Sequence, residues 1–299
     1  MEVLVCVKRV PMVGGRIVVT ADGQDVDTRM SGFTVSPHEE CAVEEAVRLV
    51  ERFGGRVTVL TLGPPAAADQ LRDMLALGAS RAVLLESDGR EWGPIATAGA
   101  IVDAMRGAAS APSAPAAPAP SAPAAPAPSA PAAPAASAPP APAAPAASAP
   151  PAPGCPYDLL LFGNEAADTG DYQVGVRVAH ALGLPCVTGI KNLEVADDGA
   201  SARARREYRG TEEVFDIPLP AVVSVKEGIN LPRYPSLPGR LRAKRATIEQ
   251  QVPPWHPEGL RKEGLRVPAG ESKRAEILGH GADAVPALVA LLNEFGVLS

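Results

Sequence analysis

Hydrophobic and polar positions along the chain form two alternating kinds of segment. Short runs of Val, Leu and Ile are typical of strands buried on both faces of a parallel sheet, and the longer amphipathic segments between them predict helices. In chain order the pattern predicts strand 3–7, helix 36–53, strand 57–62, helix 67–77, strand 82–86, helix 95–105, strand 158–162, helix 173–182, and strands 186–190 and 221–225. This order indicates an α/β fold, with a mainly parallel sheet covered by helices on both faces.

Two later regions depart from this alternation. Residues 191–218 predict short antiparallel strands joined by Gly and Asp turns, which would form a small extension of the α/β domain. Residues 250–299 predict an extended, proline-rich C-terminal arm with one late amphipathic helix at 282–295.

Residues 110–154 consist almost entirely of Ala, Pro and Ser in an imperfect SAPAAPAP repeat. Prolines every two or three residues exclude helices and sheet ladders, and no large apolar side chain is available for a core. The segment is therefore predicted to be a disordered, polyproline-II-like insertion. Because strands and helices resume after it, the insertion would interrupt a single domain made of 1–109 and 155–249. A partner-binding role for its prolines is the alternative.

Composition narrows the classes of function. A net charge of −6 argues against a general nucleic-acid binder, because that role needs a basic surface. The four cysteines and four histidines are scattered, without the spacing of a metal site or a disulfide framework. No apolar run reaches the ~18 residues that predict a membrane span, and the first residues lack the pattern of a signal peptide. We therefore expect a cytoplasmic protein.

The predicted strand ends contain the candidate chemistry, since ligands of parallel sheets bind outside the carboxyl ends of the strands. Three ends are unusual: VCVKRV, TLGPP and the segment GNEAADTGDYQVG. The last supplies Gly163, Gly170 and Gly175, where the backbone can approach a ligand closely, and it leads into a helix whose free N–H groups suit a phosphate. Nucleotide binding is one interpretation, and ordinary turns are the other.

The start of the first predicted helix is a further candidate. Ser36 as N-cap, Pro37 in the first turn and Glu39 three residues after Ser36 form the pattern of a capping box. A metal site at the carboxylates Glu165 and Asp168, with Asp171, is a weaker alternative.

Enzyme motifs are poorly represented. The chain has neither a G-x-G-x-x-G fingerprint after the first strand nor a G-x-x-x-x-G-K-[ST] phosphate loop. An enzyme that hydrolyses or adenylates on this kind of fold would need an S-G-G-x-D-type loop after the first strand, where the chain has KRVPMVGG. His38 is the only histidine near a predicted strand-end cleft.

The segment YPSLPGRLRAKR at 234–245 places a leucine between two prolines and follows it with four cations in six positions. A turn followed by a solvated strand or tail is one interpretation. The other is a docking loop for a second protein, in which one exposed leucine is presented next to a basic strip.

Several motifs in the same order resemble the β subunit of electron-transfer flavoprotein, the family that includes FixA. They are VCVKRV, SPHEECAVEEAVRL, VTVLTLGP, LALGASRAVLL, DLLLFGNEAADTGDYQVG, LGLPCVTGI and LPAVVSVKEGINLPRYPSLPGRLRAKR. The resemblance covers nearly everything outside the Ala/Pro tract and weakens after Glu249. It implies a Rossmann-like α/β domain that pairs with an α subunit, a redox FAD held mainly by α, and a structural adenine nucleotide in β. That nucleotide is AMP in most members and a second FAD in electron-bifurcating ones.

The resemblance also assigns residues. The nucleotide contacts match Cys6, Ser36, Pro37, His38, Glu39, Leu62, Gly163, Asn164, Glu165, Ala166, Ala167, Asp168, Thr169, Gly170, Asp171, Tyr172, Gln173 and Val174. The docking loop matches Tyr234, Pro235, Ser236, Leu237, Pro238, Gly239, Arg240, Leu241 and Arg242, with Leu237 as the anchor. Glu207 matches a glutamate near the moving flavin domain.

The implied partners are the α subunit, acyl-CoA or related flavin dehydrogenases as donors, and a quinone oxidoreductase or similar acceptor. The C-terminal arm and its helix would pack on the α subunit. The chain departs from the family at Ser36-Pro37-His38, where Asn-Pro-Phe is common, and at Asn164-Glu165, where Lys-Gln is common. Val13 stands where some members have an aromatic residue near the flavin. An electron-bifurcating member and a stand-alone nucleotide-binding protein are the alternatives.

Overall fold

The computed structural model of the protein describes residues 1–12, 17–109, 155–259, 261–267 and 277–297. In chain order its strands are β1 (Glu2–Cys6), β2 (Val10–Pro11), β3 (Phe33–Thr34), β4 (Arg56–Gly63), β5 (Arg81–Glu86), β6 (Leu159–Gly163), β7 (Cys186–Ile190), β8 (Asn192–Val195), β9 (Ser201–Tyr208), β10 (Thr211–Pro218), β11 (Ala221–Val225) and β12 (Glu249–Gln251). Its α-helices are α1 (Pro37–Phe53), α2 (Ala68–Leu77), α3 (Pro94–Ala109), α4 (Val174–Leu182), α5 (Leu237–Arg245) and α6 (Val285–Glu294).

A seven-stranded parallel sheet forms the centre of the fold. Its strand order is β12-β5-β4-β1-β6-β11-β7, and the pairings between neighbouring strands are all parallel. The predicted alternation of strands and helices and the α/β class are confirmed, although α3 continues past the predicted end. β12 is not predicted, because its polar sequence EQQ lacks an apolar pattern.

Two hydrophobic layers cover the sheet. Alternate residues of β1 point to opposite faces, so Val3 and Val5 pack with α1 and α2, whereas Leu4 packs with α3 and α4. All three side chains are fully buried. Both faces are therefore apolar, which explains why the strands are continuous runs of Val and Leu.

The connections reverse direction beside β1. The chain runs from β1 outward to β4 and β5 on one side, and then returns through α3 to β6 on the other side of β1. Such a reversal opens a crevice at the carboxyl ends of the two central strands. The crevice between β1 and β6 is therefore where this fold is expected to hold a ligand.

The predicted antiparallel extension is a three-stranded sheet in the order β10-β9-β8. β9 and β10 form a hairpin whose turn contains Arg209 at φ 49° and Gly210 at φ 77°. Positive φ at both central positions is the geometry that tight hairpins prefer. The other short ribbon pairs β2 with β3.

The structure corrects the interpretation of 234–245 as a loop with a strand or tail. Residues Leu237–Arg245 form α5. The helix begins there because the hydroxyl oxygen of Ser236 accepts a hydrogen bond from the N–H of Gly239 at 3.1 Å. Pro238 has no backbone N–H to donate, but it fits in the first turn, where that N–H would have no partner within the helix.

Two compact units divide the described residues. The larger unit contains the described residues of 1–12 and 28–261, with the sheet and helices α1 to α5, and the smaller contains residues 17–27, 262–267 and 277–297, with α6. The insertion at 110–154 and Val13 lie outside the described residues. Among the described helices, none is both long and apolar enough to span a membrane.

Candidate functional site

The crevice between β1 and β6 brings together most of the residues that sequence reasoning selected for a nucleotide. Cys6 ends β1, Leu62 lies near the end of β4, and Gly163 ends β6. The N-terminus of α1 lies against the end of β6, and the loop after β6 leads into α4. Elements far apart in the chain therefore meet at one edge of the sheet.

Glu39 connects two of these elements. Its carboxylate accepts the N–H of Ser36 at 2.9 Å and the N–H of Lys8 at 2.8 Å, while its own N–H donates to the Ser36 hydroxyl oxygen at 3.3 Å. The predicted capping box is thus present. Because the same carboxylate also holds the backbone that follows β1, the cap fixes the start of α1 to the end of β1.

Burial raises the pKa values of Glu39 and of the nearby Cys6. Desolvation raises the pKa of Glu39 to about 7, against the hydrogen bonds from Ser36 and Lys8, which lower it. Burial, assisted by the nearby charge of Glu39, raises the pKa of the Cys6 thiol far above its ordinary range. Cys6 is therefore a small, inert wall residue of the crevice.

Gly163 permits the close approach of β6 to α1. A Cβ atom at this position would lie 2.6 Å from Cγ of Glu39 and 3.3 Å from Cβ of His38. Since real Cβ atoms do not approach other atoms so closely, only glycine fits without moving the start of α1. The sequence suggested a glycine for ligand approach, and the structure adds a packing reason.

The loop after β6 is attached at both of its sides. The N–H of Asn164 donates to the carbonyl of Val225 at 2.9 Å, and the hydroxyl of Ser36 donates to the carbonyl of Glu165 at 3.4 Å. Lys8 Nζ lies 2.8 Å from a carboxylate oxygen of Asp168. The loop is thereby joined to β11, to the cap of α1 and to the end of β1.

Two of the acidic residues of this loop, Glu165 and Asp168, contact basic groups. Glu165 lies 3.5 Å from Nε2 of His38, whose Nδ1 accepts the N–H of Glu227 at 2.7 Å. No group of three or more His, Cys, Asp or Glu side chains that could hold a metal ion occurs within the described ranges. The geometry gives no support to the metal alternative.

The N-terminus of α4 has no side-chain cap. Gln173 occupies the cap position, but its side-chain oxygen instead accepts hydrogen bonds from Arg177 at 2.8 and 3.1 Å. The two residues before it include Tyr172, whose φ of 57° is uncommon for a non-glycine residue. A helix N-terminus attracts anions through its unpaired N–H groups.

The segment chosen for partner docking lies on different elements. Leu237 is the first residue of α5, and Tyr234 precedes the helix; both side chains are exposed. α5 approaches α2 so closely that a Cβ atom at Gly239 would lie 2.7 Å from the carbonyl oxygen of Ala76. Arg240, Leu241 and Arg242 are on the solvent-exposed part of the same helix.

Glu207 lies apart from both sets. It is an exposed residue near the end of β9, beside the hairpin turn, and its carboxylate is 3.7 Å from Nζ of Lys191. The structure does not bring it to the crevice.

Sequence reasoning missed two side chains that join these regions. Lys8 pairs with Asp168 across 160 residues, and Arg233 pairs with Glu44 across 189 residues. Neither shows a local motif, so only the folded chain identifies them.

Comparison with known proteins agrees with the motifs. The family model for the electron transfer flavoprotein domain matches residues 26–114 and 131–254. The chain belongs to the electron-transfer flavoprotein β-subunit family. The β subunit from Bacillus subtilis is 30% identical over 220 residues, which cover 73% of this chain and 66% of that protein.

Other β subunits match over longer stretches. The Bradyrhizobium diazoefficiens β subunit is 28% identical over 305 residues that span both chains completely. Protein FixA of Azorhizobium caulinodans is 29% identical over 254 residues, covering 84% of this chain and 74% of FixA. The expected family is confirmed, and with it a role in electron transfer by a flavoprotein.

Proposed function

We propose that this β subunit forms a heterodimer with an α subunit and helps to hold a redox FAD. It binds a structural adenine nucleotide in the crevice between β1 and β6, and it docks flavin dehydrogenases through the segment around Leu237. The observation that carries the nucleotide proposal is the meeting of the α1 cap, the loop after β6 and the α4 N-terminus at the crevice. The chain acts as an electron carrier and makes or breaks no covalent bond.

The residues at the crevice fit AMP. Cys6 and Leu62 supply an apolar wall for an adenine ring. The uncapped N-terminus of α4 suits the phosphate, and Lys8 adds a positive charge at the same edge.

The flavin requires a second chain. FAD supplies the one- and two-electron chemistry of such proteins, and this chain contributes contacts through Glu207 and its C-terminal arm. Helix α6 supports that assignment, because it has no buried residue and exposes Val285, Leu288 and Val289. An apolar helix of this kind needs a covering partner, which we assign to the α subunit.

Docking is assigned to the segment 234–242, with Leu237 as anchor. Acyl-CoA or related flavin dehydrogenases are the proposed donors, and a quinone oxidoreductase or similar protein is the proposed acceptor. One desolvated leucine contributes roughly 1.5–3 kcal/mol to a complex. A contact of that size suits a carrier that must leave after each transfer.

The experiment is to co-express the chain with its α subunit, record the visible spectrum of the purified complex, and identify the released nucleotides after denaturation. One FAD and one AMP per heterodimer are expected. Two FADs would move the assignment to an electron-bifurcating member. A stable, nucleotide-loaded chain that copurifies with no flavin and no partner would overturn the proposal in favour of a stand-alone nucleotide-binding protein.

A further inference from the structure

Residues 230–238 repeat every three positions. The segment reads Asn-Leu-Pro, Arg-Tyr-Pro, Ser-Leu-Pro, so that a polar residue, a large apolar residue and a proline recur in this order. Proline fixes its own φ near −65° and favours extended conformations for the residue before it. Ser236, at φ −70° and ψ 155°, has polyproline-II geometry. Since that conformation has three residues per turn, residues three positions apart share one side of the segment.

The polar residues of the first two repeats, Asn230 and Arg233, face the body of the protein. The side chain of Asn230 donates to the carbonyl of Cys41 in α1 at 3.0 Å. Arg233 Nε lies 2.9 Å from a carboxylate oxygen of Glu44, and its Nη1 lies 2.6 Å from a carboxylate oxygen of Glu51, both in α1. The Glu44 side chain is only 3% exposed, so this pairing fixes the segment to the helix.

The third polar residue fixes the other end. Ser236 caps α5, and Gly239 and Ala243 of that helix are buried, with Gly239 close to the backbone of α2. The segment is therefore attached to α1 at one end and α2 at the other.

The apolar residue of each repeat faces solvent. Leu231 is 84% exposed, Tyr234 is 95% exposed and Leu237 is 72% exposed. At ~3.1 Å per residue, neighbouring members of this set are about 9 Å apart along the segment. We call these three side chains the apolar ridge. Ordering them on a fixed backbone before binding removes part of the entropy cost of docking.

We propose that the apolar ridge docks as a unit into an apolar groove with an acidic rim on the electron-donating flavoprotein. The inference rests on the proposed docking function and extends it to Leu231, which lies outside the segment assigned by family resemblance. Charge complementarity indicates the acidic rim: α5 follows the ridge directly and contributes Arg240, Arg242, Lys244 and Arg245 without an acidic residue.

The test uses the αβ heterodimer and, as probe, a purified acyl-CoA dehydrogenase that reduces it. Leu231→Ala, Tyr234→Ala and Leu237→Ala are prepared singly, and the rate of flavin reduction is followed against heterodimer concentration. Each variant is expected to raise KM by about fivefold to tenfold with kcat unchanged, because each removes apolar area buried only in the complex. Leu231→Met, which keeps the apolar volume, is expected to restore most of the affinity.

Met30→Ala is the matched control, since Met30 is 99% exposed and belongs to neither site; its KM should stay at the wild-type value. An effect of Leu237→Ala with none from Leu231→Ala would overturn the ridge and leave the single-anchor docking function intact. No effect from any of the three would overturn the docking function itself. Loss of FAD from a ridge variant would assign that residue to flavin retention and would also overturn the ridge.

Discussion

The crevice, at the carboxyl ends of the strands, and the apolar ridge, on helices α1 and α2, differ in which side chains face the protein and which face water. In the crevice, backbone groups and buried side chains converge from several strand ends, and Glu39 is buried. On the ridge, the polar side chains are the ones that contact the protein, while Leu231 and Tyr234 stay in water. The difference matches the two proposals: a structural nucleotide can be enclosed, whereas a docking partner that must leave is met by side chains that project outward.

The difference also lies in what each region needs from glycine. Gly163 is required where β6 touches α1, and Gly239 where α5 touches α2. In the crevice the close approach shapes the proposed nucleotide site directly. Near the ridge, the close approach at Gly239 only packs α5 against α2, which fixes the position of the exposed side chains.

The largest expected effect is at the crevice. Gly163→Ala places a methyl group against Glu39 and His38, and overpacking of this kind should lower the free energy of unfolding by about 3 kcal/mol. Urea denaturation would measure the loss, and nucleotide released from the purified heterodimer should fall sharply. Gly107→Ala in α3 is the control, because nothing lies within 4 Å of its added Cβ. If the Gly163 variant kept both stability and nucleotide, the contact between β6 and α1 would not shape the crevice.

A second effect depends on pH. The pKa of Glu39 rises from its ordinary 4.5 to about 7 on folding, so the folded state keeps a proton that the unfolded chain loses between these values. Its contribution to stability is therefore present below about pH 4.5 and is lost as pH rises through 7, a difference of about 2–3 kcal/mol. Denaturation midpoints measured from pH 5 to 7.5 should fall less in Glu39→Gln than in wild type. Parallel slopes for the two proteins would contradict the assignment.

A smaller effect tests the support of the ridge. Arg233→Met leaves the buried Glu44 with Arg48 as its remaining charged partner and should cost about 2 kcal/mol of stability. Arg203→Met is the matched control, because its pairing with Asp216 is exposed on the small sheet and should contribute little. Adding Glu44→Gln to Arg233→Met should recover part of the loss in a thermal melt. No recovery would mean that the unpaired carboxylate is not the cause.

The sequence predicted the parts of this fold that depend on local pattern. The capping box at Ser36 was predicted because both partners lie within three residues, and the strands were predicted because both faces of the sheet are apolar. Because the carboxyl ends of parallel strands lie at one edge of a sheet, the sequence also predicted that the unusual strand ends would meet there. The loop residues 163–174 could thus be proposed as a site before any distance was known.

What could not be predicted depends on distant contacts. Arg233 and Glu44 carry no shared motif across the 189 residues between them. α5 was missed because its prolines and cations resemble a loop, and its stability comes from burying Gly239 and Ala243 rather than from an apolar stripe. The three-residue repeat was visible in the letters, but its meaning required knowing which of its sides contacts α1.

Strand β12 has a consequence for how copies of the molecule behave toward one another. It pairs with β5, and Arg81 holds Glu249 through two hydrogen bonds at 2.5 and 2.6 Å. Without it, β5 would be the edge strand of the remaining sheet from β5 to β7, and the unpaired N–H and C=O groups of this apolar strand could pair with a strand of another molecule. The three polar residues of β12 pair with that edge, so a stretch that belongs to neither the crevice nor the ridge occupies the hydrogen-bonding groups through which two copies could otherwise join.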